Sequence, residues 1–213
     1  MDIKQDYLIN SLTKQPLIVV IRLDKDFFNI PIKRDNLISK IKTLSDFGIK
    51  HIEIGWDSNP EWASLIREIK DSFKLINLGA ASICCLDSLD SALSLNLNYA
   101  MSPIFVKEIH KKAITNDQLL IPGISNVKDF LEAVNLGYKI IKIFPASNLG
   151  ISFLNKLKKL KENNIFFIGA GGIKSKDLKV LLKNGYSALT IGRELTNQIP
   201  DNELKIWIKD FKI

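Results

Sequence analysis

Val127-Lys128-Asp129-Phe130-Leu131-Glu132-Ala133-Val134-Asn135-Leu136-Gly137-Tyr138-Lys139-Ile140-Ile141-Lys142-Ile143-Phe144 carries the repeating unit of the chain in one stretch. Its first part holds apolar residues at helical spacing, which predicts a helix from Val127 to Leu136 with one buried face. Gly137 follows as the residue that most easily closes a helix C-terminus. Tyr138 to Phe144 is a β-branched, almost wholly apolar run, the pattern of a strand buried on both sides. Working outward, the same order of helix, glycine and strand returns around Gly48 and Gly185. Further strands are expected at Leu17–Leu23, Ile49–Ile54, Lys74–Leu78, Tyr99–Met101, Gln118–Ile121, Ile165–Ile168 and Ala188–Ile191, giving eight in all. Helical spacing marks Asp35–Phe47, Pro60–Ser72, Asp87–Leu95, Phe153–Glu162, Lys176–Asn184 and Asn202–Phe211. Buried strands joined by helices imply a parallel sheet, and eight such units in a chain of 213 residues fit a closed (β/α)8 TIM barrel. A doubly wound open sheet is the alternative, and the missing GxGxxG after the first strand counts against it. Ile3, Tyr7, Leu8 and Leu12 predict a short N-terminal helix that caps the bottom of the barrel.

Composition narrows the function. With 46% hydrophobic residues the chain can bury one substantial core, so 1–213 reads as a single barrel domain. No apolar run is long enough to span a bilayer, and the charged opening Met1-Asp2-Ile3-Lys4-Gln5-Asp6 does not suit a secretory signal, so a cytoplasmic protein without a membrane partner is expected. Cys84 and Cys85 are adjacent, a spacing that strains a disulfide, and are expected to be reduced and buried. His51 and His110 are too isolated to form a metal site. The net charge of +7 is spread over many segments without an aromatic-interleaved basic patch, which argues against nucleic acid and fits either an anionic small substrate or simple lysine abundance.

In such a barrel the chemistry belongs at the C-terminal ends of the strands. Lys142 places an ammonium inside a segment that otherwise reads as a fully buried strand. Desolvation lowers the proton affinity of such an amine, and the neutral form attacks carbonyls to give a Schiff base; the alternative is a buried stem whose head reaches water. Glu53, in Ile52-Glu53-Ile54, is a carboxylate in an equally apolar strand, and inward residues of the second and sixth strands can meet on the barrel axis. There it serves either as a proton carrier or as the partner in a structural ion pair. Gly171 and Gly172 after the seventh strand, and Gly192-Arg193 after the eighth, mark turns whose bare backbone can cradle an oxyanion.

These segments, in this order, resemble the 2-keto-3-deoxy-6-phosphogluconate (KDPG) and 4-hydroxy-2-oxoglutarate (KHG) aldolases. The resemblance runs over nearly the whole chain: Val19-Val20-Ile21-Arg22, Ile52-Glu53-Ile54, Gly79-Ala80-Ala81-Ser82, Ser102-Pro103, Ile121-Pro122-Gly123-Ile124-Ser125, Lys142-Ile143-Phe144-Pro145-Ala146 and Gly171-Gly172-Ile173. It implies a class I aldolase on a (β/α)8 barrel, assembled as a homotrimer, with no metal or other cofactor beyond the covalent Schiff base. It assigns the Schiff base to Lys142 and the general acid/base to Glu53. Ser82 takes the place of a threonine that holds the pyruvoyl part, and Pro103 and Phe144 fall on the pocket wall.

Three positions depart from the family pattern. Asp57 stands where many members carry a carboxylate-binding arginine, and Arg22 on the first strand is expected to take over that role. Ala81 replaces a glycine. Arg193-Glu194 stands where glycine and serine are common around the phosphate; Arg193 suits a phosphate or a distal carboxylate, whereas Glu194 would repel phosphate unless it points away or pairs with Arg193. The expected reaction is cleavage of a 2-keto-4-hydroxy acid to pyruvate and an aldehyde. The alternatives are an imine-free phosphosugar isomerase or epimerase on the same barrel, and a barrel that has lost catalysis and serves as a binding module.

Overall fold

The computed structural model describes residues 1–160, 165–192 and 202–210. Its strands are β1 (Leu17–Ile21), β2 (His51–Gly55), β3 (Asn77–Ala81), β4 (Tyr99–Met101), β5 (Leu120–Ile121), β6 (Gly123–Ile124), β7 (Ile140–Ile143), β8 (Phe166–Gly169) and β9 (Ala188–Ile191). All pairings are parallel, in the order β5-β4-β3-β2-β1-β9-β8-β7-β6. The sheet closes through Pro122, which separates β5 from β6 within one stave. Lacking an N–H, Pro122 cannot continue the ladder as a donor, yet its carbonyl accepts from the Lys142 amide at 2.9 Å. The wall therefore has the expected eight staves, one of them interrupted.

The helices are α1 (Asp2–Lys14), α2 (Pro31–Asp46), α3 (Trp62–Ser72), α4 (Leu86–Ser94), α5 (Lys107–Thr115), α6 (Val127–Asn135), α7 (Ala146–Leu160), α8 (Leu178–Lys183) and α9 (Asn202–Asp210). α6 and β7 follow the reading of the opening stretch, with Gly137 at φ +86° between them. Helix α1 seals the N-terminal end of the barrel. Its Leu8 and Leu12 are buried, each contributing about 1.5–3 kcal/mol by burial, while Gln5, Ser11 and the following Gln15 reach the starts of β7 and β2.

Several boundaries differ from those read in the sequence. The third strand is Asn77–Ala81 rather than Lys74–Leu78: Leu75 is 90% exposed, and the small residues Gly79-Ala80-Ala81 pair with Glu53-Ile54-Gly55. Gly79 is a close-approach glycine, since a Cβ there would lie 2.6 Å from Cζ of Tyr99. Helix α5 was not expected; it buries Ile109, His110 and Ala113 against the wall. Cys84 and Cys85 are free, as expected, but exposed: they precede α4, and their amides both donate to Ser88 Oγ. Arg193, Glu194 and the end of the expected Phe153–Glu162 helix lie outside the described residues.

Candidate active site

Side chains alternate along each strand, so Val20 and Arg22 on β1 and its exit share a side, as do Thr190 and Gly192 on β9 and its exit. These residues open onto a cavity of about 520 Å³ at the C-terminal end of the barrel, a size suited to a small-molecule ligand. Of the ten site residues named from the sequence, Arg22, Glu53, Ser82, Pro103, Lys142, Phe144, Gly171, Gly172 and Gly192 all line it. The tenth, Arg193, is outside the described residues. Sequence reasoning did not single out Val20, Pro145, Ser147, Asn148, Lys174 or Thr190, which also line the cavity. Two of these were within reach: Val20 and Thr190 lie two residues before Arg22 and Gly192, so strand alternation alone points to them.

Lys142 and Glu53 are only 6% and 1% exposed. Burial lowers the Lys142 amine to about 8; the Glu53 carboxylate pushes it back up and the Arg22 guanidinium lowers it further. Burial raises the Glu53 carboxyl to about 7 against the opposing pull of Lys142, Arg22 and Tyr99. The two groups thus titrate as a pair near neutrality. That arrangement keeps an uncharged amine accessible and a carboxyl able both to give and to take a proton. Glu53 Oε1 is buried without a hydrogen-bond partner of ordinary geometry. Lys142 Nζ lies 5.7 Å from the centroid of the Phe144 ring, which forms one wall.

Arg22 is exposed at the mouth, and its Nη1 donates to Ser82 Oγ at 3.2 Å. Ser82 adopts φ +67°, a left-handed conformation costly for a residue with a Cβ. Together they form a positive and hydroxylic rim on one side of the cavity. Asp57 is absent from the lining; its Oδ1 accepts from the Asn59 amide at 2.8 Å and so organises the loop after β2. On the opposite side Gly171 and Gly172 have φ +87° and +72°. A Cβ on Gly171 would lie 2.8 Å from the Phe144 ring, and one on Gly172 would run into Ser147, so this rim must be bare backbone. Lys174 adds a cation beyond it. Among the described residues, no three or more His, Cys, Asp or Glu side chains gather as a metal site, and no helix is long and apolar enough to cross a membrane.

The sequence of known proteins bears on this geometry. The family described as KDPG and KHG aldolase matches residues 8–205. A 2-dehydro-3-deoxy-6-phosphogalactonate aldolase of Escherichia coli (strain K12) is 24% identical over 185 residues, covering 86% of this chain and 85% of that protein. Among solved structures, the 2-keto-3-deoxy-6-phosphogluconate aldolase of Zymomonas mobilis ZM4 with 3-phosphoglycerate has a TM-score of 0.77 at 20% identity, covering 95% of this chain and 94% of that one. The KDPG aldolase from Legionella pneumophila with pyruvate captured as a covalent carbinolamine has a TM-score of 0.75 at 20% identity, covering 95% of each chain. At such identities the structural likeness speaks for the barrel, and the extent of the family match speaks for kinship: the chain belongs to the KDPG and KHG aldolase family of carbon–carbon lyases.

Proposed function

We propose that this chain is a class I aldolase that cleaves a 2-keto-4-hydroxy acid to pyruvate and an aldehyde through an imine on Lys142. The observation that carries the reading is the buried Lys142 amine, lowered to about 8, in one cavity with the raised carboxyl of Glu53. The neutral amine adds to the C2 carbonyl, and Glu53 protonates the carbinolamine hydroxyl, which leaves as water. As carboxylate, Glu53 then takes the proton of the C4 hydroxyl. The C3–C4 bond breaks, its electron pair passes into the iminium to give an enamine, and the aldehyde departs. Glu53 returns the proton to C3, and water releases pyruvate from the lysine. The covalent carbinolamine that the Legionella protein forms with pyruvate supports the same class of adduct here.

In this reading Arg22 and Ser82 hold the substrate carboxylate, with Pro103 and Phe144 against the pyruvoyl part, and Gly171, Gly172, Gly192 and Lys174 receive the distal anion. The reading covers two substrates, 2-keto-3-deoxy-6-phosphogluconate giving glyceraldehyde 3-phosphate and 4-hydroxy-2-oxoglutarate giving glyoxylate. The phosphorylated class draws support from the E. coli relative and from the phosphoglycerate in the Zymomonas structure. A homotrimer in the cytoplasm, working without metal, belongs to the same reading, and three chains per particle in light scattering is its expected mass. The decisive test is mass spectrometry after treatment with pyruvate and borohydride. An adduct mapping to Lys142, and lost in Lys142→Ala, is expected. A folded protein without adduct would sink the imine and favour an imine-free isomerase or a barrel without catalysis.

A further inference from the structure

Glu53, Gly79 and Tyr99 stand in one row across three neighbouring strands: Glu53 of β2 is in register with Gly79 of β3, and Gly79 with Tyr99 of β4. Residues in such a row project from the same face of a sheet, and Glu53 identifies that face as the barrel interior, because it lines the cavity. The middle member has no side chain. A Cβ on Gly79 would lie 2.6 Å from Cζ and 2.7 Å from Cε2 of Tyr99. The ring therefore occupies the space above β3 and carries its hydroxyl across it toward β2.

Both ends of the row are orphaned. The Tyr99 hydroxyl and Glu53 Oε1 are buried, and neither has a hydrogen-bond partner of ordinary geometry; Tyr99 is wholly enclosed, at 0% exposed. A buried hydroxyl without a partner is unfavourable, and a phenyl ring of the same shape would avoid it. From this juxtaposition we infer that Tyr99 is a positioning residue for the aldol chemistry proposed above, its hydroxyl donating across Gly79 to Glu53 and holding the carboxyl where it exchanges protons with substrate carried on Lys142. The inference rests on that reading of Lys142 and Glu53.

The ionisation of the two groups agrees with this role. Burial and the neighbouring Glu53 raise the Tyr99 phenol well above its ordinary value, so it keeps its proton and acts only as a donor. A donor favours the carboxylate over the acid and opposes the burial that raises Glu53. The charged groups that also act on Glu53 are Lys142 from β7 and Arg22 at the end of β1, and both pull in the same direction as Tyr99.

The test uses Tyr99→Phe, which keeps the ring above Gly79 and removes only the hydroxyl. Exchange of the pyruvate methyl protons into D2O, followed by NMR against pH, needs the imine and the acid/base group but no aldehyde. Borohydride trapping on the same samples reports Lys142. Trapping is expected to persist in Tyr99→Phe while exchange slows by roughly tenfold and its acid limb moves up by about one pH unit. In a Glu53→Gln background, adding Tyr99→Phe should change nothing further. Parental exchange with a parental acid limb in Tyr99→Phe, or an equal loss in both backgrounds, overturns the inference. A parent protein that traps no pyruvate overturns the aldolase reading itself, and the inference with it.

Discussion

At the N-terminal end of the barrel, Gln5 donates to the Gly137 carbonyl at 3.1 Å and accepts from the Lys139 amide at 2.8 Å; Gln15 does the same with Gly48 and Lys50, both at 2.8 Å. Ser11 bonds His51 Nε2 and accepts from Asn77, which is in turn bonded by Tyr7 and Asn98. His51 Nδ1 is the exception in that network, buried without a partner. At the C-terminal end, Glu53 Oε1 and the Tyr99 hydroxyl are equally buried and have none, and Lys142 shares its cavity with Glu53 and Arg22. The lower polar groups close the fold, because each bond satisfies a strand end that water cannot reach. Glu53, unlike Tyr99, lines the cavity, so the hydrogen-bonding capacity that Tyr99 does not take up is what a substrate can complete.

The largest break in that comparison is Glu53→Gln, which should lower turnover by roughly 10²–10⁴-fold with the fold intact. Because the Glu53 carboxylate raises the amine of Lys142, its removal should also move the pH midpoint of pyruvate trapping below about 8; an upward shift or none would contradict the assigned pairing. The mirror experiment is Gln15→Leu at the lower end. It strands the Gly48 carbonyl and the Lys50 amide, for a loss of about 1–3 kcal/mol and a Tm lowered by about 2–10 °C, with kcat unchanged. A fall in kcat as large as for Glu53→Gln would erase the distinction between the two ends.

The smallest effect is acid sensitivity. Burial holds His51 and His110 down at about 4, against 6.5 when free. A histidine with a depressed folded value contributes its full stability above 6.5 and loses it as pH falls toward 4. Each should weaken the fold by about 1–2 kcal/mol at pH 5, read as a lower Tm at pH 5 than at pH 7.5. A Tm independent of pH across that range would mean that both rings take up a proton in the folded protein as readily as when free.

Lys142 and Glu53 were legible because a charge inside an apolar strand breaks the pattern around it. The alternation of strands and helices was legible because each strand is apolar on both faces. The third strand was not: Asn77-Leu78-Gly79-Ala80-Ala81 has little bulk, and its strand character comes from pairing with β2 and from the ring of Tyr99 over Gly79. Tyr99 was marked in the sequence only as the start of a strand, since its neighbourhood with Glu53 exists only through the lateral register of three strands. Cys84 and Cys85 were misplaced for a related reason: their short segment is held in the open by Ser88 rather than packed inward.

The wall has an uneven weave. Five residue pairs join β2 to β3 and four join β7 to β8, whereas β3–β4, β4–β5, β6–β7 and β8–β9 are each joined by two. Local opening is easiest where fewest backbone bonds must part together, so the barrel opens along its two-pair seams, those beside Pro122 among them, before it opens between β2 and β3 or between β7 and β8. Glu53 and Lys142 thus each ride on a closely laced strand pair, and the seams between those pairs are the ones that give.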